Sequence, residues 1–406
     1  MGVTARALVV AGIEQPDEEP TVRVRDSMGA FSQTEWDALL DEEASPFLRW
    51  AWLEALEASG AATRHTGWTP RHIGLYRGGH LIAAAPAWAC AGSDGDFSQD
   101  WGWADGAQRA GLRYYPKLSL TVPFTPCTGR RILVAPGEDR RECIEAIVDA
   151  VSELAAEEGY IVAQVLFPEA EEADILESLG AARRLLFQYH FKNLHYQSFE
   201  DFLTHFDSKK RNQIKRERAA PARQGITLRT VRGDELGDDP RRWARTVHTL
   251  HRASLSKMPW GRGWLNPAFY ERVMSAMSDS IEVVEASREG GAIAMAFNVA
   301  SRSHLYGRYW GCREEHPFLH FNVCLYHSIE QCIARGTGRF EGGAGGEHKL
   351  ARGFEPSEVY GLHFFFEPRL DEAVRRHLSR ENQNLKTALQ RWREETPVLK
   401  KLGAAE

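Results

Sequence analysis

Cysteine is scarce: six residues in a chain of 406, scattered at Cys90, Cys127, Cys143, Cys312, Cys324 and Cys332. That spacing argues against a disulfide scaffold and predicts reduced thiols. No apolar run approaches the roughly 20 residues that a helix needs to cross a bilayer. The N-terminal run ALVVAGI is short and meets Glu14, Asp17, Glu18 and Glu19, which is unlike a signal peptide. A cytoplasmic protein is the expectation. Excess positive charge is also missing. The net charge of -6 argues against non-specific coating of nucleic acid, although local basic patches remain open. No G-x-S-x-G elbow, P-loop or complete G-x-G-x-x-G unit stands in a convincing context, which lowers hydrolase, NTPase and dehydrogenase chemistry.

What is present is an ordinary soluble composition, 43% hydrophobic and 26% charged, with many aromatics: 12 Trp and 19 Phe. Large aromatic cores or aromatic-lined clefts are expected. The length suits more than one domain. After a head expected to be disordered (1–20), Thr34 and Asp37 have capping-box spacing, and Ser45-Pro46 opens an apolar-periodic stretch through Trp50, Leu53 and Leu56. HIGLY and HLIAAAPAWA flank Arg77-Gly78-Gly79 and predict a hairpin. Residues 140–158 predict a helix ended by Gly159, and YIVAQVLF a buried strand.

The second half repeats the order. IEVVEAS and AIAMAFNVA flank Glu289-Gly290-Gly291, HLYGRYWGC extends the sheet, a helix over 318–335 stops at Gly336, and GRFEGG adds a short strand. Two similar α/β domains with mixed sheets follow, 21–197 and 198–368, with a C-terminal helix over 369–406. Such a duplication favours a ligand cleft between the copies.

Chemistry concentrates in FEGGAGGEHKLARGF. Glycines at 342, 343, 345 and 346 precede Glu347, His348, Lys349 and Arg352, an acid, an imidazole, an amine and a guanidinium. A flexible linker before a solvated turn is the plain alternative. A second candidate is SKKRNQIKRERAAPARQG, where seven cations are opposed only by Glu217. It reads either as a phosphate track or as a solvated face paired with this protein's acids. A third is the segment from Asp96 to Leu133, where Trp101, Trp103, Tyr114, Tyr115 and Phe124 mix with Asp100, Asp105, Arg109, Arg113 and Lys117. It suits an amine-bearing ligand or a structural plug. Strict alternation over LYGRYWG puts Tyr306, Arg308 and Trp310 on one face and Tyr309 on the other. Cys312, His316, His320 and Cys324 recur every four residues, but Pro317 interrupts that geometry, so no metal is expected.

The stretches SPFLRWAWLEALEASG, TGWTPRHI, RAGLRYYPK, VPFTPCTGRRIL, FQYHF, LYGRYWGC, PFLHF and GEHKLARGF resemble the FemAB-like peptidoglycan biosynthesis or recognition proteins, part of the GNAT-fold acyltransferases. The resemblance runs from about Ser45 to Leu370. It implies tandem GNAT-like domains and an N-acyltransferase that moves an aminoacyl group from aminoacyl-tRNA to a small-molecule or peptide amine. Acyl-CoA is the alternative donor, a non-catalytic binding protein the rival, and no tightly bound cofactor is expected. Lys349 resembles the family's lysine near its C-terminal glycine-rich region, and 209–218 the basic helix at its domain joint. The resulting expectation makes Lys349, His348 and Glu347 catalytic. It gives Asp105, Tyr115, Lys117, Arg308, Tyr309, Trp310, His320 and Glu341 to the acceptor, and Arg211, Lys215 and Arg352 to donor phosphates. Three departures from the family pattern mark a specialised acceptor: Asn322 in place of Glu, Gly345 in place of Gln, and WACAGSDGDFSQ (88–99) in place of a Lys-containing, GE-rich segment.

Overall fold

The structure is a computed structural model that describes residues 19–257 and 262–395. Most of the expected head, and residues 396–406 of the expected C-terminal helix, lie outside the described residues. Among the described residues the strands form two sheets, one of four strands and one of eleven.

The first hairpin is as expected. His72–Arg77 and His80–Ala85 pair antiparallel across Gly78 and Gly79, whose φ of 57° and 81° suits glycine. Thr21–Arg25 and Leu133–Val134 complete the four-stranded sheet. Pro86 then breaks the strand, because proline brings no N–H to a ladder. Ala87–Cys90 leaves for the large sheet, where it pairs with Lys117–Leu120. That strand lies parallel to Val162–Leu166.

The connection between them runs through helix Arg140–Glu158, capped by Asp139 accepting from the Glu142 amide and ended at Gly159. It buries Ile144, Ile147, Val151 and Leu154 against the sheets, about 1.5–3 kcal/mol for each large apolar side chain. Upstream, one expectation is corrected. Helix Gln33–Asp37 is capped by Ser32, which accepts from the Glu35 amide, and not by Thr34.

The second half follows the same plan without a break. Ile281–Arg288 and Gly291–Ala300 form a hairpin, His304–Cys312 adds antiparallel, and Arg339–Glu341 pairs parallel with its start. The connecting helix departs from expectation. Leu319–Phe321 and His327–Arg335 are α-helical, but Asn322–Tyr326 is a π turn, a wider turn that often marks functional positions.

The halves are fused by an exchange of strands. Ala182–Lys192, the last strand of the first half, pairs with Arg339–Glu341 of the second. Glu355–Phe365, late in the second half, pairs with Val162–Leu166 of the first, and the two long strands pair with each other. One continuous sheet results, and residues 193–198 link its halves. Helix Pro368–Glu395 lies across the exchanged strands: Asn382 accepts from the Leu185 amide (2.8 Å) and donates to the Arg183 carbonyl (2.9 Å).

Candidate active site

A small cavity of about 80 Å³ lies where His304–Cys312 and the chain after Arg339–Glu341 diverge. Their parallel pairing ends at Tyr306 and Glu341, and the next residues, Gly307 and Gly342, both line the cavity. Arg308, Tyr309, Trp310, His320 and Lys349 are also in the lining, beside Ala296, Asn298, Cys324 and Leu325, so five of the expected site residues meet here.

Lys349 lies on the short 3-10 turn Glu347–Arg352 and is 5% exposed. Its ammonium donates to the carbonyls of Gly343 (2.7 Å) and Gly345 (2.6 Å). Gly343 and Gly345 have φ of 79° and 71°, a conformation that turns these carbonyls inward and that a side chain would strain. Among the described residues no carboxylate pairs with Lys349. Burial therefore pushes its pKa down to about 8, leaving a mostly protonated but uncompensated cation at neutral pH.

Around it stand two imidazoles. His348 is exposed and meets His320 at 5.8 Å and Phe321 at 5.4 Å between ring centroids. Burial and the nearby cations Lys349 and Arg352 lower the His348 pKa, so its ring is neutral and able to accept a proton. His320 is pushed down to about 4 by burial and by His348, Lys349 and Arg352, and packs edge-on against Trp310. Glu347 is exposed.

Arg308 and Tyr309 both donate to the Phe124 carbonyl, at 3.3 Å for Tyr309. Strict alternation cannot put neighbouring residues on one target. The register shows why: Phe297 pairs with Tyr309 and Asn298 with Gly307, so Arg308 is a bulge residue. The expected face of Tyr306, Arg308 and Trp310 is thereby corrected, because Tyr306 and Tyr309 pack in one core cluster and Trp310 against another.

The remaining candidates lie elsewhere. Glu341 is buried beside the cavity and accepts from the Thr128 amide (3.1 Å), while burial raises its pKa to about 7. Asp105 is exposed and pairs with Arg109 four residues on (3.0 Å). Tyr115 shares a hydrogen bond with Ser93 (2.8 Å). Lys117 is fully buried between Asp96 (2.8 Å) and Asp100 and also donates to Ser93 and Ser98. Burial alone would depress its pKa, but the two carboxylates more than offset that and raise it. With its charge neutralised inside the fold, Lys117 is not offered to the cavity.

Arg352, expected at donor phosphates, is turned inward. It pairs with Glu217 (2.8 Å), donates to the His348 carbonyl (2.8 Å) and stacks on Phe321 at 3.4 Å. Glu217 also accepts from Tyr326 (2.5 Å) and Gln213 (2.8 Å) and is 3% exposed. Asn322 donates to the Glu217 and Phe318 carbonyls, both at 2.9 Å. The lone acid of the basic helix is thus its anchor to the glycine-rich turn. Sequence reasoning missed that role, although a single acid among seven cations was the available signal. On helix Ser208–Arg218, Lys209, Lys215 and Arg216 are exposed and Arg211 is half-buried. Arg218 pairs with Glu330 (2.7 Å); among the described residues no acid lies within ion-pair reach of the other six cations. Phe318, 43% exposed, shares a hollow of about 530 Å³ with Arg216 and Arg223. Among the described residues no group of three or more His, Cys, Asp or Glu could hold a metal, and no helix is long and apolar enough to cross a membrane.

Two repeats of hairpin, strand, helix and parallel strand, fused by exchanged strands, define a tandem GNAT-like α/β protein. FemX has a similar structure, with a TM-score of 0.53 and 13% identity, covering 85% of this chain and 98% of that one. L-PGS from Bacillus licheniformis (TM-score 0.45, 10% identity, 73% of this chain and 85% of that one) is also similar. So is a tandem GNAT protein from the clavulanic acid biosynthesis pathway (0.43, 13%, 86% and 99%). No curated protein matches the chain. The model of the FemAB-like family, described as peptidoglycan biosynthesis/recognition, matches residues 27–400, and the chain belongs to that family.

Proposed function

We propose that this protein is an N-acyltransferase that moves an aminoacyl group from aminoacyl-tRNA to an amine. The observation that carries the proposal is Lys349: a buried ammonium held by carbonyl dipoles alone, facing a cavity with Arg308 and Tyr309 on its wall. An uncompensated buried cation is stabilised by whatever negative charge develops beside it, which is what a tetrahedral oxyanion supplies.

In the reaction, the acceptor nitrogen attacks the ester carbonyl of the charged tRNA. The C–N bond forms, the oxyanion meets Lys349, and the C–O bond to the ribose breaks on collapse. Neutral His348 takes the proton from the attacking amine and returns it to the departing ribose oxygen.

The unpaired cations of the basic helix and the exposed Phe318 beside Arg216 and Arg223 suit a single-stranded RNA end, by charge and by base stacking. Arg352, paired with Glu217 of that helix and bonded to the His348 carbonyl, ties the helix to the Lys349 turn. An acyl-CoA donor fits less well. About 80 Å³ is far below the roughly 300 Å³ where small-molecule sites begin, and a pantetheine arm needs such a slot.

The test is transfer from charged tRNA pools to candidate amines, read by mass spectrometry. RNase pretreatment should abolish product. Product that persists after RNase with acyl-CoA would overturn the donor assignment, and undiminished transfer by a folded Lys349→Met variant would overturn the site.

A further inference from the structure

Beyond the glycine-rich turn lies a second, larger space that the reaction above does not use. A groove of about 490 Å³ runs between the exchanged strands and the C-terminal helix. Two of its wall segments are linked by hydrogen bonds to residues that line the Lys349 cavity. Ala344 and Gly345 line the groove, and the Gly345 carbonyl holds Lys349. Pro126 lines it too, two residues beyond the Phe124 carbonyl that holds Arg308 and Tyr309. A molecule at this end of the groove would lie against Gly345, whose carbonyl holds the Lys349 ammonium at 2.6 Å.

We propose that this groove is the acceptor subsite, and that it takes an amine carried on an uncharged, apolar body and not one linked to a nucleotide or phosphate. The inference rests on the acyl-transfer reading and names its substrate class.

Three observations carry it. The walls are largely apolar, with Phe97, Phe167, Phe187, Val359 and Leu385 among them, and Phe187 is 41% exposed beside open space. The volume lies within the range typical of small organic ligands. Above all, the groove has no cation to offer. Its lining holds one, Arg184, and Glu381 neutralises it in a bidentate pair (3.0 and 2.8 Å). The remaining guanidinium nitrogen donates to the Ser98 and Gln99 carbonyls (2.8 and 3.1 Å), and the plane lies 4.7 Å from the Trp103 ring. A diphosphate placed here would lose its hydration with no matching charge in return. An apolar body loses nothing by entering. On the far side of Arg184 a further hollow of about 420 Å³, walled by Trp103, Ala107, Leu112, Leu370 and Val374, leaves room for a longer one.

Saturation-transfer NMR on the full chain tests binding without turnover, with 4-phenylbutylamine and uridine-diphosphate N-acetylglucosamine as probes. The amine should receive saturation and the nucleotide sugar none. Ala388→Trp, on the exposed helix face that lines the groove, should weaken the amine by at least about tenfold, roughly 1.4 kcal/mol. Glu381→Gln, which leaves Arg184 unneutralised, should give the nucleotide sugar measurable binding. Equal amine binding by wild type and a folded Ala388→Trp would overturn the proposal. So would nucleotide-sugar binding to wild type that Ala388→Trp removes. The two readings fail differently. If charged tRNA acylates a nucleotide-linked amine and Ala388→Trp blocks that, acyl transfer stands and the acceptor class falls. If 4-phenylbutylamine binds in the groove but no amine is acylated from any charged tRNA, acyl transfer itself falls and takes the acceptor role with it.

Discussion

Each half of this molecule buries a lysine, and the two are opposites. Lys117 is enclosed in the first half between Asp96 and Asp100, with serine hydroxyls completing its shell, and its pKa is raised. Lys349 is buried in the second half with two carbonyl oxygens and no acid, and its pKa falls to about 8. The first arrangement is complete, and adding an anion would only compete with Asp96 and Asp100. The second lacks a negative charge and sits at a cavity where one can form. Burial of a cation is therefore no sign of function by itself; what matters is whether the fold has already neutralised it.

The largest effect expected is on the sealed site. Lys117→Ala leaves two buried carboxylates without their cation and should cost about 3–5 kcal/mol of stability in a denaturant titration. A loss under about 1 kcal/mol would erase the contrast between the two lysines. Lys349→Met should do the reverse: stability unchanged or raised, because no carboxylate is stranded, and transfer reduced about 10²–10³-fold. Single-turnover assays beside thermal unfolding would separate those outcomes.

Protonation sharpens the comparison further. Transfer that needs the Lys349 ammonium should fall as pH rises through about 8, and Lys349→Arg should carry that limb to higher pH. The linkage has a matching sign. The folded pKa lies below the usual 10.5, so between about 8 and 10.5 the unfolded chain binds more protons, and wild type should gain stability relative to Lys349→Met across that window. Glu341 runs the other way. Its pKa of about 7 against the usual 4.5 means the folded state holds the proton longer, so stability falls as pH rises from 4.5 towards 7, and Glu341→Gln should flatten that slope. The smallest change belongs to the basic helix. Arg211→Ala or Lys215→Ala should each lower the salt dependence of tRNA binding by about one unit of slope, leaving stability nearly unchanged.

The duplication was legible because both copies use local signals: Gly-Gly turns, helices ended by Gly159 and Gly336, and continuous apolar strands. The strand exchange was not, since nothing local in Glu355–Phe365 says that its partners lie in the first half. Arg308 shows the same limit on a smaller scale. Alternation assigns its face, and a bulge against Asn298 reassigns it. The glycine-rich turn was found as a concentration of chemistry, but the sequence offers both Lys349 and Arg352 as free cations for the reaction, one at the oxyanion and one at donor phosphates. Only packing separates them, because Glu217 neutralises Arg352 and no acid reaches Lys349.

The sequence by itself determined the repeated α/β plan, the turns and caps that bound its elements, and the family to which the chain belongs, all of which rest on residues near one another in the chain. The tertiary structure decided which lysine is neutralised, which cations stay unpaired, and that the glycine-rich turn stands between a small charged cavity and an apolar groove. Those outcomes depend on pairings such as Glu217 with Arg352 and Arg184 with Glu381. Charge is a property of residues, but its compensation belongs to the contacts that folding makes between distant ones.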